Sequence, residues 1–177
     1  ALPQRGEVLG VLPAHPLFET EGDASAHVIA LFEAQRWRFA AEYELPSRAR
    51  IDFVLLDAEG APAAGVENKR RLGDETKLSE LANYFEQSAS YAEALRVPVY
   101  LGPFVTDRSP MHLCSGGHSD LSASAAFLSL AGRMNVGLFV YRAFCSQHYF
   151  LLRGQTVCSI GGREDEWNPE ANRFASS

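Results

Sequence analysis

The sequence predicts a single α/β domain, a mixed central sheet flanked by helices, with the core order α-β-β-β-α-β and extra strands towards the C-terminus. Three observations carry that prediction. Residues 77–95 place Leu78, Leu81, Phe85, Ala89, Ala92 and Leu95 at helical spacing, so one face of a long helix is apolar. Segments 37–44, 50–57, 63–70 and 97–101 have strand lengths and are bounded by Pro, Gly and Ser. Ile51, Phe53, Val54, Leu55 and Leu56 are apolar at both odd and even positions, the pattern of a strand covered on both faces.

Taken in order, residues 1–20 hold Pro3, Pro13 and Pro16 and no sustained period, an irregular leader. A first helix is expected from Asp23 to about Gln35, with Asp23 or Ser25 as N-cap and a stripe through Val28, Leu31, Phe32 and Gln35. Residues 37–44 alternate as a strand and stop at Pro46-Ser47. Strands 50–57 and 63–70 form a hairpin around Ala58-Glu59-Gly60-Ala61-Pro62. Gly73-Asp74-Glu75-Thr76 caps the long helix, and 97–101 is the fourth strand. Residues 102–119 read as a loop, 121–133 as a further helical stretch, and 136–144 with 147–160 as two or three more strands. The polar segment 161–177, with Glu164, Asp165 and Glu166 in succession, reads as a loose tail, which leaves one domain over 21–160.

A chain of 177 residues with 46% hydrophobic and 21% charged residues can bury a full core and gives no sign of global disorder. No apolar run approaches the ~20 residues a bilayer span requires, and Ala1 to Gly6 lack a signal-peptide core. A cytoplasmic protein without membrane contact is expected. Cys114, Cys145 and Cys158 are odd in number and widely spread, which fits a reducing compartment better than a disulfide framework. The net charge of −6 counts against a protein that coats nucleic acid non-specifically through a large basic surface. A local basic groove remains compatible with it. Arg48, Arg50, Lys69, Arg70 and Arg71 supply such a cluster, which serves equally to protect a sheet edge.

The chemistry concentrates in the hairpin. With the turn centred on Gly60, positions whose numbers sum to about 119 face each other, which sets Asp52 opposite Glu67. Lys69 shares the Glu67 face and Asn68 points the other way. Adjacent carboxylates repel unless a cation or proton lies between them, so the pair is a candidate site for a hard divalent ion such as Mg²⁺.

An acid on one strand followed by Glu67-Asn68-Lys69 on the next resembles the PD-(D/E)xK nuclease superfamily, whose fold is restriction-endonuclease-like. The next helix carries Gln87-Ser88-Ala89-Ser90-Tyr91, similar to the Gln-xxx-Tyr signature of the RecB-type and phage exonuclease branch. The resemblance covers residues 21–101 and departs from the motif at Ile51, where the name-giving Pro would stand. It implies a metal-dependent nuclease, an endonuclease or exonuclease, that hydrolyses phosphodiester bonds with Mg²⁺ or Mn²⁺, with DNA as the first expected partner. A homo-oligomer or a protein partner is left open. Asp52, Glu67 and the Asn68 carbonyl would then hold metal, Lys69 would orient water and offset negative charge, and Gln87 would position metal water or phosphate. Tyr91, Arg70 and Arg71 would meet the substrate. The superfamily's first helix also tends to supply an acid. Glu21, Asp23 and Glu33 are available, with Glu21 the first choice because it precedes the apolar run.

Two other readings stand beside this one. A catalytically silent member of the fold would bind nucleic acid or a protein partner, and an unrelated α/β interaction module would carry the acid pair by accident. His112, Cys114 and His118, with Cys145 or His148, raise a zinc site, but paired short-range ligands are missing, and a substrate-facing loop is the preferred expectation. His27 is expected on the surface.

Overall fold

The computed structural model describes residues 18–72, 78–105 and 131–161. The elements are α1 (Glu21–Ala34), β1 (Phe39–Glu44), β2 (Arg50–Leu56), β3 (Pro62–Leu72), α2 (Leu78–Leu95), β4 (Val99–Val105), β5 (Val136–Arg142), β6 (Gln147–Leu152) and β7 (Gln155–Ile160). All seven strands form one sheet whose spatial order follows the chain. β1, β2 and β3 are antiparallel, β3, β4 and β5 are parallel, and β5, β6 and β7 are antiparallel again. The chain is thus an α/β protein with a mixed sheet. Among the described residues no helix is long and apolar enough to cross a membrane.

Helix α1 starts two residues before the expected Asp23. Thr20 is the N-cap: its hydroxyl accepts from Asp23 N at 3.0 Å, and the Asp23 carboxylate accepts from Thr20 N at 2.9 Å. This reciprocal capping box satisfies two backbone donors that the helix leaves free, and it makes Asp23 the third helical residue rather than the cap. Arg36, at φ 56°, turns the chain away from α1. Trp37 N donates to the Phe32 carbonyl at 3.0 Å, so Trp37 closes the helix and β1 begins at Phe39 instead.

The hairpin turn is built by Asp57, whose carboxylate accepts from Glu59 N at 3.0 Å and Ala61 N at 2.8 Å. Gly60 follows at φ 84°, a conformation glycine adopts without steric cost. From this turn Leu55 pairs with Ala64, Val54 with Gly65, and Phe53 with Val66. That is the register expected from a turn centred on Gly60.

β4 is longer than the expected 97–101 and absorbs Gly102 and Pro103, residues expected in a loop. The ladder registers with β3 and β5 both shift across this point, and a bulge is where a sheet tolerates proline. A side chain at Gly102 would run into the Phe139 carbonyl. The remainder of the expected loop, with His112, Cys114 and His118, lies outside the described residues, as do the leader to residue 17, the tail from residue 162 and most of the 121–133 stretch. Ala131 to Arg133 are helical. Three strands follow. β5 ends at Arg142, one 3₁₀ turn (Ala143–Cys145) leads to β6, and Arg153 and Gly154, at φ 55° and 74°, form the two-residue turn to β7.

Alternation along the strands sorts the core into two layers. Val28 and Phe32 of α1 pack against Phe53, Leu55, Val66, Tyr100, Phe139 and Phe150. On the other face, Leu81, Phe85 and Ala89 of α2 meet Leu101, Leu138, Val140 and Leu151, while Tyr91 and Ala92 meet Leu45, Ile51, Val54 and Val99. At about 25 cal/mol per Å² of apolar area removed from water, burial on both faces is the main source of stability. It also positions the hairpin end between two helices.

Candidate active site

The β2–β3 ladder closes at Asp52. There the side chain takes over from the backbone: Asp52 Oδ2 accepts from Asn68 N at 2.7 Å, while Asp52 N lies 3.5 Å from Glu67 Oε2. Each acid therefore reaches across to the other's strand. Glu67 is only 4% exposed and Asp52 is half-buried. Two residues on, Lys69 Nζ lies 3.0 Å from Glu67 Oε1, which places Lys69 on the same face.

Helix α2 completes this face. Leu81, Phe85, Ala89 and Ala92 are buried towards the sheet, and the stripe through Tyr84, Gln87 and Tyr91 turns towards Lys69. Gln87 Oε1 is 3.4 Å from Lys69 Nζ, Gln87 Nε2 donates to Tyr91 Oη at 2.8 Å, and Lys69 Nζ stands 5.1 Å from the centre of the Tyr84 ring. Gln87 is exposed and Tyr91 is buried. Tyr91 is thus placed behind Gln87 as its support.

Asn68 points to the opposite face, as its place between Glu67 and Lys69 requires. With its amide nitrogen towards the Gly102 carbonyl at 3.1 Å, its oxygen accepts from Ser25 Oγ at 2.9 Å and Ser25 N at 3.1 Å, the orientation that satisfies every group. The buried amide pins α1 to β3 and β4 directly behind the acids.

Burial pushes the Glu67 carboxyl above its ordinary range, and the Asp52 charge pushes it further, against the pull of Lys69. Burial also raises Asp52, with Glu42 and Glu21 adding to it, opposed by the Asn68 N–H and by Lys69. Both acids therefore favour a proton or a cation more than free carboxylates do. The donors the pair presents are carboxylate oxygens, which suit Mg²⁺ or Mn²⁺ rather than a soft metal. Among the described residues no group of three or more His, Cys, Asp or Glu side chains is placed to hold a metal ion. Glu21, exposed on the first turn of α1, contributes its charge at Asp52 from outside the pair.

Glu42 was not singled out by the sequence. It sits between the pairs Ala41–Phe53 and Tyr43–Ile51, opposite Asp52 on β1, at φ 50°. The same counting that paired Asp52 with Glu67 finds it once β1 is folded onto β2. A non-glycine residue at that φ is uncommon, and here its charge acts on Asp52.

The other expected residues are dispersed. Arg70 and Arg71 continue β3, with side chains outside the described set. Arg48 and Arg50 are exposed, and Arg50 pairs across the ladder with Glu44. Asp23 is committed to the cap and Glu33 is exposed. His27 is not a surface histidine: it is half-buried, 2.8 Å from His148 between Nε2 atoms, and packs against Tyr141 at 4.6 Å. Burial and the His27 neighbour push His148 down to about 3, and burial lowers His27 as well. Cys145 lies against the Arg142 carbonyl. Cys145 and Cys158 carry free thiols.

Comparison with protein-family models, curated proteins and solved structures gives no match for this chain.

Proposed function

We propose that this chain is a Mg²⁺-dependent nuclease of the PD-(D/E)xK type, hydrolysing phosphodiester bonds of nucleic acid, with DNA as the first substrate. The observation that carries the reading is the clasp of half-buried Asp52 and buried Glu67, both with raised pKa values, on the same sheet face as Lys69. A structural ion pair needs one acid and one base; a second buried acid raises the energy of the pair and calls for a further cation. The order of elements and the central parallel pairing of β3 with β4 support a restriction-endonuclease-like core.

Asp52, Glu67 and the Asn68 carbonyl would hold the ion. When bound, it supplies charge for a phosphoryl oxygen and acidifies a coordinated water. The chain does the rest. Asp52 and Glu67 fix the place of that charge because each is anchored to the opposing strand. Lys69 presents an ammonium beside Glu67, where it orients water and offsets negative charge developing at phosphorus. Gln87 limits the motion of that ammonium, and Arg70 and Arg71, next along β3, are positioned in sequence for phosphates.

The test is a panel of single-stranded, duplex, nicked and branched DNA and RNA, incubated with and without Mg²⁺. Cleavage should require the ion and vanish in Lys69→Ala, while calorimetry shows that Lys69→Ala still binds Mn²⁺. Failure of the wild-type chain to cleave any member with either ion rejects the proposal.

A further inference from the structure

Lys69 is held from three sides, and only one of them is an acid. Glu67 Oε1 is at 3.0 Å, Gln87 Oε1 at 3.4 Å, and the Tyr84 ring centre at 5.1 Å. Lys69 has 18% of its side chain exposed. Lysine carries a long flexible stem and a compact charge, so one ion pair alone leaves its ammonium free to pivot. An aromatic face within about 6 Å attracts a cation electrostatically, more strongly where water is partly excluded. Gln87 cannot turn its amide freely, because its nitrogen donates to Tyr91; its oxygen is thereby directed to Lys69.

We propose that Tyr84 is a positioning residue whose ring, together with the Gln87 carbonyl, fixes the Lys69 ammonium over Glu67. Its ring face is what matters, not its hydroxyl. Tyr84 and Gln87 are three residues apart on α2 and so share a helix face, which explains how one helix supplies both contacts. This inference rests on the nuclease reading for its catalytic consequence. The contact itself stands apart from that reading.

The chain contains two lysines, Lys69 and Lys77, so lysine-selective ¹³C labelling yields two ε-methylene signals, and Lys69→Arg assigns them. Tyr84→Phe keeps a ring and Tyr84→Leu removes it. In wild type and Tyr84→Phe the Lys69 ε-protons should be displaced by the ring current; in Tyr84→Leu they should move to the position of a free lysine. For Mg²⁺-dependent cleavage, Tyr84→Leu should lower kcat by roughly three- to tenfold with KM within about twofold, since the contact acts through the transition state. Tyr84→Phe should restore kcat. An unmoved Lys69 signal in Tyr84→Leu overturns the contact. A moved signal with unchanged kcat overturns the positioning role and leaves Tyr84 as packing. A wild-type chain that cleaves nothing while the Lys69 signal shifts as expected overturns the nuclease reading, and the positioning role with it, but not the contact.

Discussion

Asp52 Oδ2 takes the Asn68 N–H at 2.7 Å, so the acid that ends the β2–β3 ladder also supplies its last acceptor. The carboxylate is held by the backbone of the residue between Glu67 and Lys69, and its geometry does not depend on a metal. Its charge is a separate matter. Burial and the neighbouring acids work against it, so the fold bears a cost for keeping Asp52 ionised.

Asp52→Asn should therefore separate stability from function. The amide oxygen can still accept from Asn68 N while the charge disappears. The melting temperature should stay the same or rise by about 2 °C, and Mg²⁺-dependent cleavage should be lost. Differential scanning calorimetry beside a cleavage assay measures both. A drop of several degrees would mean that Asp52 is an ordinary structural acid.

Metal should relieve the same cost. Asp52 and Glu67 have folded pKa values above their unfolded ones, so between the two values the folded state binds more protons, and stability falls as pH rises through that window. Above that window the penalty is fully present, and millimolar Mg²⁺ should raise the melting temperature by mass action. As pH is lowered through the window and protons come to neutralise the pair, the gain should shrink. A gain that does not change with pH would place the ion elsewhere.

Removing Lys69 leaves Glu67 buried beside Asp52 without its ion-pair partner. Lys69→Ala should destabilise the chain by about 1–3 kcal/mol and lower turnover at least a hundredfold. Saturating Mn²⁺ should recover more stability in this variant than in wild type. Melting curves with and without Mn²⁺ decide the point; the same metal shift in both proteins would detach Lys69 from the site.

Gln87 is exposed, so Gln87→Ala opens no cavity. Turnover should fall about tenfold with the melting temperature within ~1 °C of wild type. Its neighbour Ser88 offers the opposite case. Ser88 is fully buried on α2, and among the described residues its hydroxyl finds no hydrogen-bond partner. Ser88→Ala should stabilise by about 1 kcal/mol, which corresponds to roughly 2–4 °C at this length, without affecting cleavage.

The histidine pair should contribute to the acid limb of stability. His148 and His27 have folded pKa values below their unfolded one, so the unfolded chain binds more protons, and stability is lost as pH falls below about 6.5 towards the His148 value of about 3. His148→Gln should flatten the fall in melting temperature between pH 6.5 and 4.5. An unchanged acid limb would remove the pair from that role.

The hairpin was legible because its information is local. Asp57 and Gly60 define the turn, the turn defines the register, and a two-residue period then places Asp52, Glu67 and Lys69 on one face. The helical period of α2 likewise separated the buried Leu81, Phe85, Ala89 and Ala92 from the stripe of Tyr84, Gln87 and Tyr91. What needed the tertiary structure were contacts between elements with no shared period. His27 meets His148 across 121 positions, Asn68 meets Ser25 and Gly102, and Glu42 comes beside Asp52 only when β1 is laid on β2. Gly102 and Pro103 look like a loop in isolation, yet they continue β4 because the sheet bulges around them and Phe139 leaves room only for a glycine. Turns and periods act over a few residues and are written in neighbouring side chains. Helix docking and parallel register follow from how the two core layers pack as a whole, and that packing decided which half-buried groups ended beside the acids.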